Sequence, residues 1–200
     1  KCGSTHLDLI RETVVASGAD IGIALDGDAD RLIVIDEQGK TVDGDQIMAL
    51  IGSQWARSGH LKGGGVVATV MSNLGLERFL ESRGLHLVRA KVGDRHVLEA
   101  MRAGGFNVGG EQSGHMILLD HATTGDGIVA ALAVVAAMLR AQQPLSKVAS
   151  IFSPSPQELV NVRVARKVPL EELPTVQAAI ARVEGVLGQG GRVLVRYSGT

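Results

Sequence analysis

Two hundred residues suffice for one large domain or two small ones, and 45% hydrophobic against 20% charged residues is an ordinary globular balance that excludes wholesale disorder. A formal charge of −1 gives no pull toward nucleic acid or an acidic membrane surface. The aromatics Trp55, Phe79, Phe106, Phe152 and Tyr197 are scattered singly and make no base-stacking platform.

In chain order, a helix is expected over residues 7–16, with Leu7, Ile10, Val14 and Val15 apolar and Gly18 as its stop. Residues 22–25 and 32–35 are short and β-branched, hence strands, and residues 36–40 form a turn. Asp45 is expected to cap a helix running to Arg57 that buries Ile47, Leu50, Ile51 and Trp55. Then follow strand 66–70, helix 74–82 closed by Gly84, strand 85–90, and helix 95–102, capped by Asp94 and closed by Gly104-Gly105. Strands 106–109 and 116–119 bracket a glycine-rich loop. Residues 128–139 are apolar on nearly all sides, so this helix should lie buried against a sheet; the stretch is too short and Ala-rich to span a bilayer. Strands alternating with helices argue for an α/β layer architecture. Ser153-Pro154-Ser155-Pro156 reads as a linker. Beyond it a strand at 158–165, a helix at 171–183 and a strand at 192–196 make a poor core in so few residues. Cys2 is a lone cysteine, which suits a reducing compartment, and the opening Lys1-Cys2 has neither initiator Met nor signal pattern. We therefore expect a longer parent chain.

The central feature is Asp26-Gly27-Asp28-Ala29-Asp30-Arg31, between the first two strands. Three carboxylates at alternate positions repel one another unless a cation or a donor network neutralises them. A solvated acidic turn is the plainer alternative, and we favour a metal over it. Mg²⁺ suits the set, since it takes a few carboxylates and completes its shell with phosphate or water. Asp26, Asp28, Asp30 and Glu37 also match EF-hand ligand spacing. Arg31, however, stands where an EF-hand needs Gly, and a Ca²⁺ module of that type requires helices on both sides of residues 26–37.

Three further clusters carry chemistry. Gly109-Gly110-Glu111-Gln112-Ser113-Gly114-His115 offers donors and acceptors on a loop whose glycines bring backbone close to a ligand, which suits a hydroxyl-rich molecule. Lys91-Val92-Gly93-Asp94-Arg95 lies between a strand and a helix, where charged groups can face a cleft and a helix N-terminus attracts anions. Arg196-Tyr197-Ser198-Gly199-Thr200 pairs a guanidinium with hydroxyls and turn amides, a set that suits phosphate.

Taken together, GIALDGDADRLIVIDEQGKTVDGDQ at 22–46, KVGDR at 91–95, GGEQSGH at 109–115 and RYSGT at 196–200 resemble the α-D-phosphohexomutases. Gln112 and the KVGDR loop lean toward the bacterial phosphoglucosamine mutases, against the phosphomannomutase/phosphoglucomutase branch. The resemblance implies an α/β fold. Residues 1–42 would be the C-terminal part of domain 2, with the metal loop. Residues 43–152 would be domain 3, a mixed sheet flanked by helices, and residues 157–200 the start of an α+β domain 4. It implies Asp26, Asp28 and Asp30 as Mg²⁺ ligands, Glu111, Ser113 and His115 at the sugar, Arg196, Ser198, Gly199 and Thr200 on phosphate, and Arg31 and Lys91 lining the cleft. The implied reaction interconverts glucosamine 6-phosphate and glucosamine 1-phosphate through a bisphosphorylated intermediate, in the cytoplasm, on the way to cell-wall precursors. The family's phosphoserine loop, rich in Ser, His, Asn and Pro, does not occur in these 200 residues. The missing N-terminal domains of the parent chain are thus implied partners, and the chain alone is expected to be inactive. A sugar-phosphate-binding module without catalysis is the remaining alternative, and neither nucleic acid nor a membrane is expected as partner.

Overall fold

The protein is described here by a computed structural model covering residues 3–197, which divide after Ser155 into two compact units. The first opens with α1 (Asp8–Ser17), which ends where Gly18 turns left-handed at φ 66° and its N–H reaches the last carbonyls. α1 packs on an antiparallel sheet of β1 (Ile21–Leu25), β2 (Leu32–Asp36) and β3 (Thr41–Val42), in that spatial order. Every residue of β2 is buried. Ile33 and Ile35 meet Val14 of α1, while Leu32 and Val34 enter the main core, so the unbroken apolar run reflects cover on both faces. β3, which the sequence pattern did not signal, is two residues long, too short to show a period of its own. Strands on both sides of the Asp loop rule out the EF-hand alternative, which needs helices there.

α2 (Gly44–Arg57) corrects the expected cap. Asp43, not Asp45, accepts from the Gln46 amide at 3.1 Å, and the Gln46 side chain closes the capping box on the Asp43 amide at 3.2 Å. Asp45 lies inside the first turn and is buried. Ile47, Leu50 and Ile51 are buried as the periodicity requires.

The main sheet has the order β5–β4–β6–β7, built from β4 (Gly65–Thr69), β5 (His86–Ala90), β6 (Val108–Gly110) and β7 (Met116–Leu118). β4 runs parallel to β5 and β6, and β7 is antiparallel to β6. Its side chains alternate. Val66, Ala68, Met116 and Leu118 pack with α2, α3 (Leu74–Ser82) and α5 (Gly127–Ala141). Val67, Ala90 and Ile117 turn to Val97 and Met101 of α4 (Asp94–Gly104) on the other face. The first unit is therefore an α/β layer, a mixed sheet flanked by helices. α4 starts after Gly93, at φ 120°, so Asp94 is its first helical residue and bonds the Arg95 amide rather than capping the helix.

α5 departs from expectation. Ala130, Ala131, Val134 and Ala137 face the core, but Ile128, Leu132 and Leu139 are 56%, 63% and 73% exposed. An all-apolar helix carries no pattern to say which side is covered, and here the small residues take the close contact. α6 (Leu145–Val148) follows, with both Glu37 carboxylate oxygens accepting from Ser146, one from its amide and one from its hydroxyl.

In the second unit, a 3₁₀ turn (Leu170–Glu172) leads into α7 (Pro174–Leu187), with Pro174 at its first position, and a 3₁₀ turn (Gly188–Gly190) follows. The strands expected at 158–165 and 192–196 do not form; Leu159, Val160, Val162 and Val164 are exposed. A strand needs a ladder partner and a covered face, and no described residue of this unit is buried. The Tyr197 hydroxyl donates to the Val168 carbonyl at 2.6 Å and accepts from its amide. Among the described residues no helix is long and apolar enough to cross a membrane.

Candidate active site

The β1–β2 connection is short, and the paired strands bring its ends together at Leu25 and Leu32. To close it, the backbone turns left-handed at Ala29, φ 58°, rather than at Gly27, the one glycine of the loop. Ala29 N–H bonds Asp26 O, and Gly127 N–H at the start of α5 bonds Ala29 O at 2.9 Å. This folding back gathers Asp26, Asp28 and Asp30, with one carboxylate oxygen of each within 4.8 Å of the others. The Arg31 amide donates to Asp26 Oδ1 at 3.2 Å, and its guanidinium Nε lies 3.9 Å from Asp26 Oδ2.

The electrostatics divide the carboxylates. Burial raises both Asp26 and Asp30. For Asp26, the Arg31 amide, the neighbouring Asp30 carboxyl and the Arg31 charge together outweigh burial and hold it below the usual range. Asp30 stays above that range because burial and its acidic neighbours prevail over the pull of His115. Two adjacent carboxyls driven apart in this way mark a site where negative charge is under-compensated by protein alone. Asp30 Oδ1 is buried with no hydrogen-bond partner among the described residues. An orphaned carboxylate oxygen within a set of hard oxygen donors fits a divalent ion such as Mg²⁺. Titrating the chain with Mg²⁺ in a calorimeter is expected to show weak binding, at least ~10-fold weaker in Asp28→Asn; equal affinities would favour a solvated turn.

The glycine-rich loop is strapped to the Asp loop. Leu32 N–H bonds Gly114 O at 2.9 Å, and Arg31 and His115 form an antiparallel bridge. Within the loop, Glu111 Oε1 accepts from Gly93 N–H at 3.1 Å, and Ser113 Oγ donates to Glu111 Oε2 at 3.2 Å. Glu111 therefore joins the 91–95 segment to the loop, both at the C-terminal edge of the parallel strands, where α/β sheets present ligand sites. Gln112 donates to Asp43 Oδ2 at 3.3 Å, and its carbonyl accepts from Gly44 N–H. Gly44 has to be glycine there, since a Cβ would overlap the Glu111 carbonyl. Lys91 is exposed at the same edge. His115 is 3% exposed, with Nδ1 on Asp30 Oδ2 at 3.0 Å.

The structure thus brings together Asp26, Asp28, Asp30, Arg31, Glu111, Ser113 and His115, with Lys91 beside them. Arg196 is exposed in the second unit, while Ser198, Gly199 and Thr200 lie outside the described residues. Sequence reasoning passed over the Gly125-Asp126-Gly127 segment. Asp126 caps α5 by accepting from the Ile128 and Val129 amides, both at 2.9 Å, and Gly127 admits the Asp loop, since a Cβ there would press on Leu25 and on the Ala29 and Arg31 carbonyls. An Asp between glycines before an apolar helix was the available signal.

Sequence reasoning also passed over Asp45 as a titrating group. Burial pushes it up to about 6, against donors from Asn73 and Ser72; the Asp43 charge adds to the rise and Arg89 opposes it. Because its folded pKa lies above the unfolded 3.8, the stability it contributes is full below about 3.8 and is lost as pH rises through about 6. Asp45→Asn cannot ionise and keeps an acceptor for the Asn73 amide. Thermal melts should show it about 2 kcal/mol more stable than wild type at pH 7, the gap closing toward pH 4. A gap independent of pH would refute this.

Comparison with known proteins places this geometry. The phosphoglucomutase/phosphomannomutase family models match in series: alpha/beta/alpha domain II over residues 3–39, alpha/beta/alpha domain III over 43–154 and the C-terminal domain over 159–200. The phosphoglucosamine mutase of Sphingopyxis alaskensis is 68% identical over 100% of the chain, which covers 45% of that relative. That of Novosphingobium aromaticivorans is 64% identical over 99% of the chain and 44% of the relative. The chain thus spans less than half the length of these curated relatives. The crystal structure of Aspergillus fumigatus N-acetylphosphoglucosamine mutase in complex with GlcNAc-6P and magnesium aligns with a TM-score of 0.76 at 25% identity, over 100% of this chain and 51% of that one.

Proposed function

The chain belongs to the phosphoglucomutase/phosphomannomutase family, and from that premise we propose that it forms the metal-binding and sugar-recognition part of a phosphoglucosamine mutase. The reaction is the interconversion of glucosamine 6-phosphate and glucosamine 1-phosphate through a phosphoserine enzyme and a bisphosphorylated intermediate. It suits the cytoplasm, where the amino sugar enters cell-wall precursors. One observation carries this proposal: the Asp loop and the Gly109–His115 loop are bonded side by side through Leu32 N–H and Gly114 O. Residues 1–42 are assigned to the end of domain 2, 43–152 to domain 3 and 157–200 to the start of domain 4.

In this assignment Asp26, Asp28 and Asp30 hold Mg²⁺, which when bound would supply Lewis-acid polarisation of a phosphoryl oxygen. Glu111 and Ser113 exchange their mutual hydrogen bond for sugar hydroxyls. Arg31 and Lys91 balance phosphate charge at the cleft, and Arg196, Ser198, Gly199 and Thr200 grip the substrate's phosphate. The intermediate has to present either phosphate to the metal, and short donors on glycine-rich loops accept a sugar in two orientations.

The test is a chimera in which these 200 residues replace their counterparts in the Sphingopyxis alaskensis enzyme. It should convert glucosamine 6-phosphate to glucosamine 1-phosphate and prefer it to mannose and glucose phosphates. Preference for the latter would favour the phosphomannomutase/phosphoglucomutase branch. The 200-residue chain alone should give no turnover, and glucosamine 1-phosphate formed by it would sink the assignment of the phosphoryl donor to other residues.

A further inference from the structure

We propose that a cation-rimmed cavity at the far end of α2 binds a small phosphate monoester whose ester group is apolar. The proposal is independent of the metal and sugar assignments above, and its site shares no residue with them.

α2 sets the distance between the two places. Its cap Asp43 is bonded to Gln112 of the glycine-rich loop, whereas Arg57 is its last residue, and a helix of 14 residues spans about 20 Å. At that far end, Ala141 closes α5, Gln142 takes a left-handed φ of 51°, and the chain reverses into α6. The ends of α2 and α3 and this reversal enclose a cavity of about 220 Å³, floored by buried Leu50 and Phe79 and half-buried Val148 and Ile151. A space of about 280 Å³ adjoins it, sharing walls at Leu50, Arg57, Ala141 and Val148. The joined space falls in the range of small-molecule sites, which begins at about 300 Å³.

The rim is uniformly basic. Arg57, Arg83 and Lys147 line the first space and Arg140 the second, with no Asp or Glu in either wall. This local excess stands in a chain whose formal net charge is −1. Among the described residues, Arg57, Arg83 and Lys147 have no carboxylate partner. Arg83 lies over the Phe79 ring at 5.3 Å, which engages the face of its guanidinium and leaves the N–H edge for an oxyanion. Basic residues in the last turns of helices also offset carbonyl ends, a role that requires neither a cavity nor a buried donor. Ser53 is the feature that role leaves unexplained. It lines the cavity at 8% exposure, and its Oγ has no hydrogen-bond partner among the described residues. A buried hydroxyl in that state lacks an acceptor that a ligand would supply. Two guanidinium forks and an ammonium suit the double charge of a phosphate monoester. The apolar floor suits an apolar ester group and offers nothing to the hydroxyls of a sugar.

The test follows the fluorescence of 1-naphthyl phosphate as a probe on the 200-residue chain, with thermal melts to check that each variant folds. The probe should bind at least ~10-fold more tightly than 1-naphthol, which lacks the charge, and than inorganic phosphate, which lacks the apolar body. 1-Naphthoate, with a single charge on the same rings, should bind at least ~3-fold more weakly than the phosphate ester. The double variant Arg57→Gln/Lys147→Gln removes two exposed charges and should weaken the probe at least ~10-fold, and Ser53→Ala about threefold. Excess glucosamine 6-phosphate should not displace it. In the unaltered chain, NMR should show nuclear Overhauser contacts between the naphthyl protons and the Val148 and Ile151 methyls, a readout that requires no variant to fold. Absence of probe binding, unchanged affinity in either variant, or probe contacts away from Val148 and Ile151 would overturn the proposal. So would naphthol, naphthoate or inorganic phosphate binding as tightly as the ester, or displacement by glucosamine 6-phosphate.

Discussion

Replacing Gly114 by alanine is expected to destabilise the first unit by about 3 kcal/mol and lower its melting temperature by roughly 10 °C. Gly114 has φ 97°, a region that costs an L-residue about 1–2 kcal/mol. Its Cβ would also overlap the Leu32 carbonyl, on the strand whose amide bonds Gly114 O. Backbone on both sides leaves no flexible side chain to give way, so the strap between the two loops has to break. Gly59→Ala is the control. Gly59 has a similar φ of 75°, but a Cβ there meets nothing within 4 Å, so only the conformational cost of about 1 kcal/mol applies. Equal melting temperatures for the two variants would show that close approach contributes nothing at Gly114.

The second large effect separates the two kinds of apolar helix position. Ile51, on α2, is fully buried in the main core, and Ile51→Ala should cost about 3 kcal/mol through lost transfer energy and a residual cavity. Leu132, equally apolar in the sequence, projects from α5 at 63% exposure, and Leu132→Ala should change stability by no more than about 0.5 kcal/mol. Denaturant titration of both variants measures the difference. A loss at Leu132 comparable to that at Ile51 would mean that the α5 face is covered in solution.

Much of the site was legible because its signals are local. The alternation of Asp26, Asp28 and Asp30 between two β-branched runs requires no long-range information, and neither does a glycine-rich loop bearing Glu111, Ser113 and His115. Caps were harder. Asp43 and Asp45 are both plausible N-caps two residues apart, and the capping box with Gln46 decides between them only when its geometry is seen. The strands expected beyond the linker show the limit of alternation as a signal: Leu159, Val160, Val162 and Val164 carry a strand pattern, yet a pattern specifies a strand only where a partner and a covered face exist.

Residue type at short spacing was enough for the α/β layering, the carboxylate cluster, the family and the presence of a polar loop suited to a hydroxyl-rich ligand. Long-range packing, by contrast, straps the two loops together through Leu32 and Gly114, sets Gly125 against the His115 ring, and turns His115 onto Asp30. Those contacts join residues up to 85 positions apart, as between Asp30 and His115. Hydrogen-bond direction and steric closure at such separations depend on how β2, β6 and α5 pack, which no local periodicity encodes.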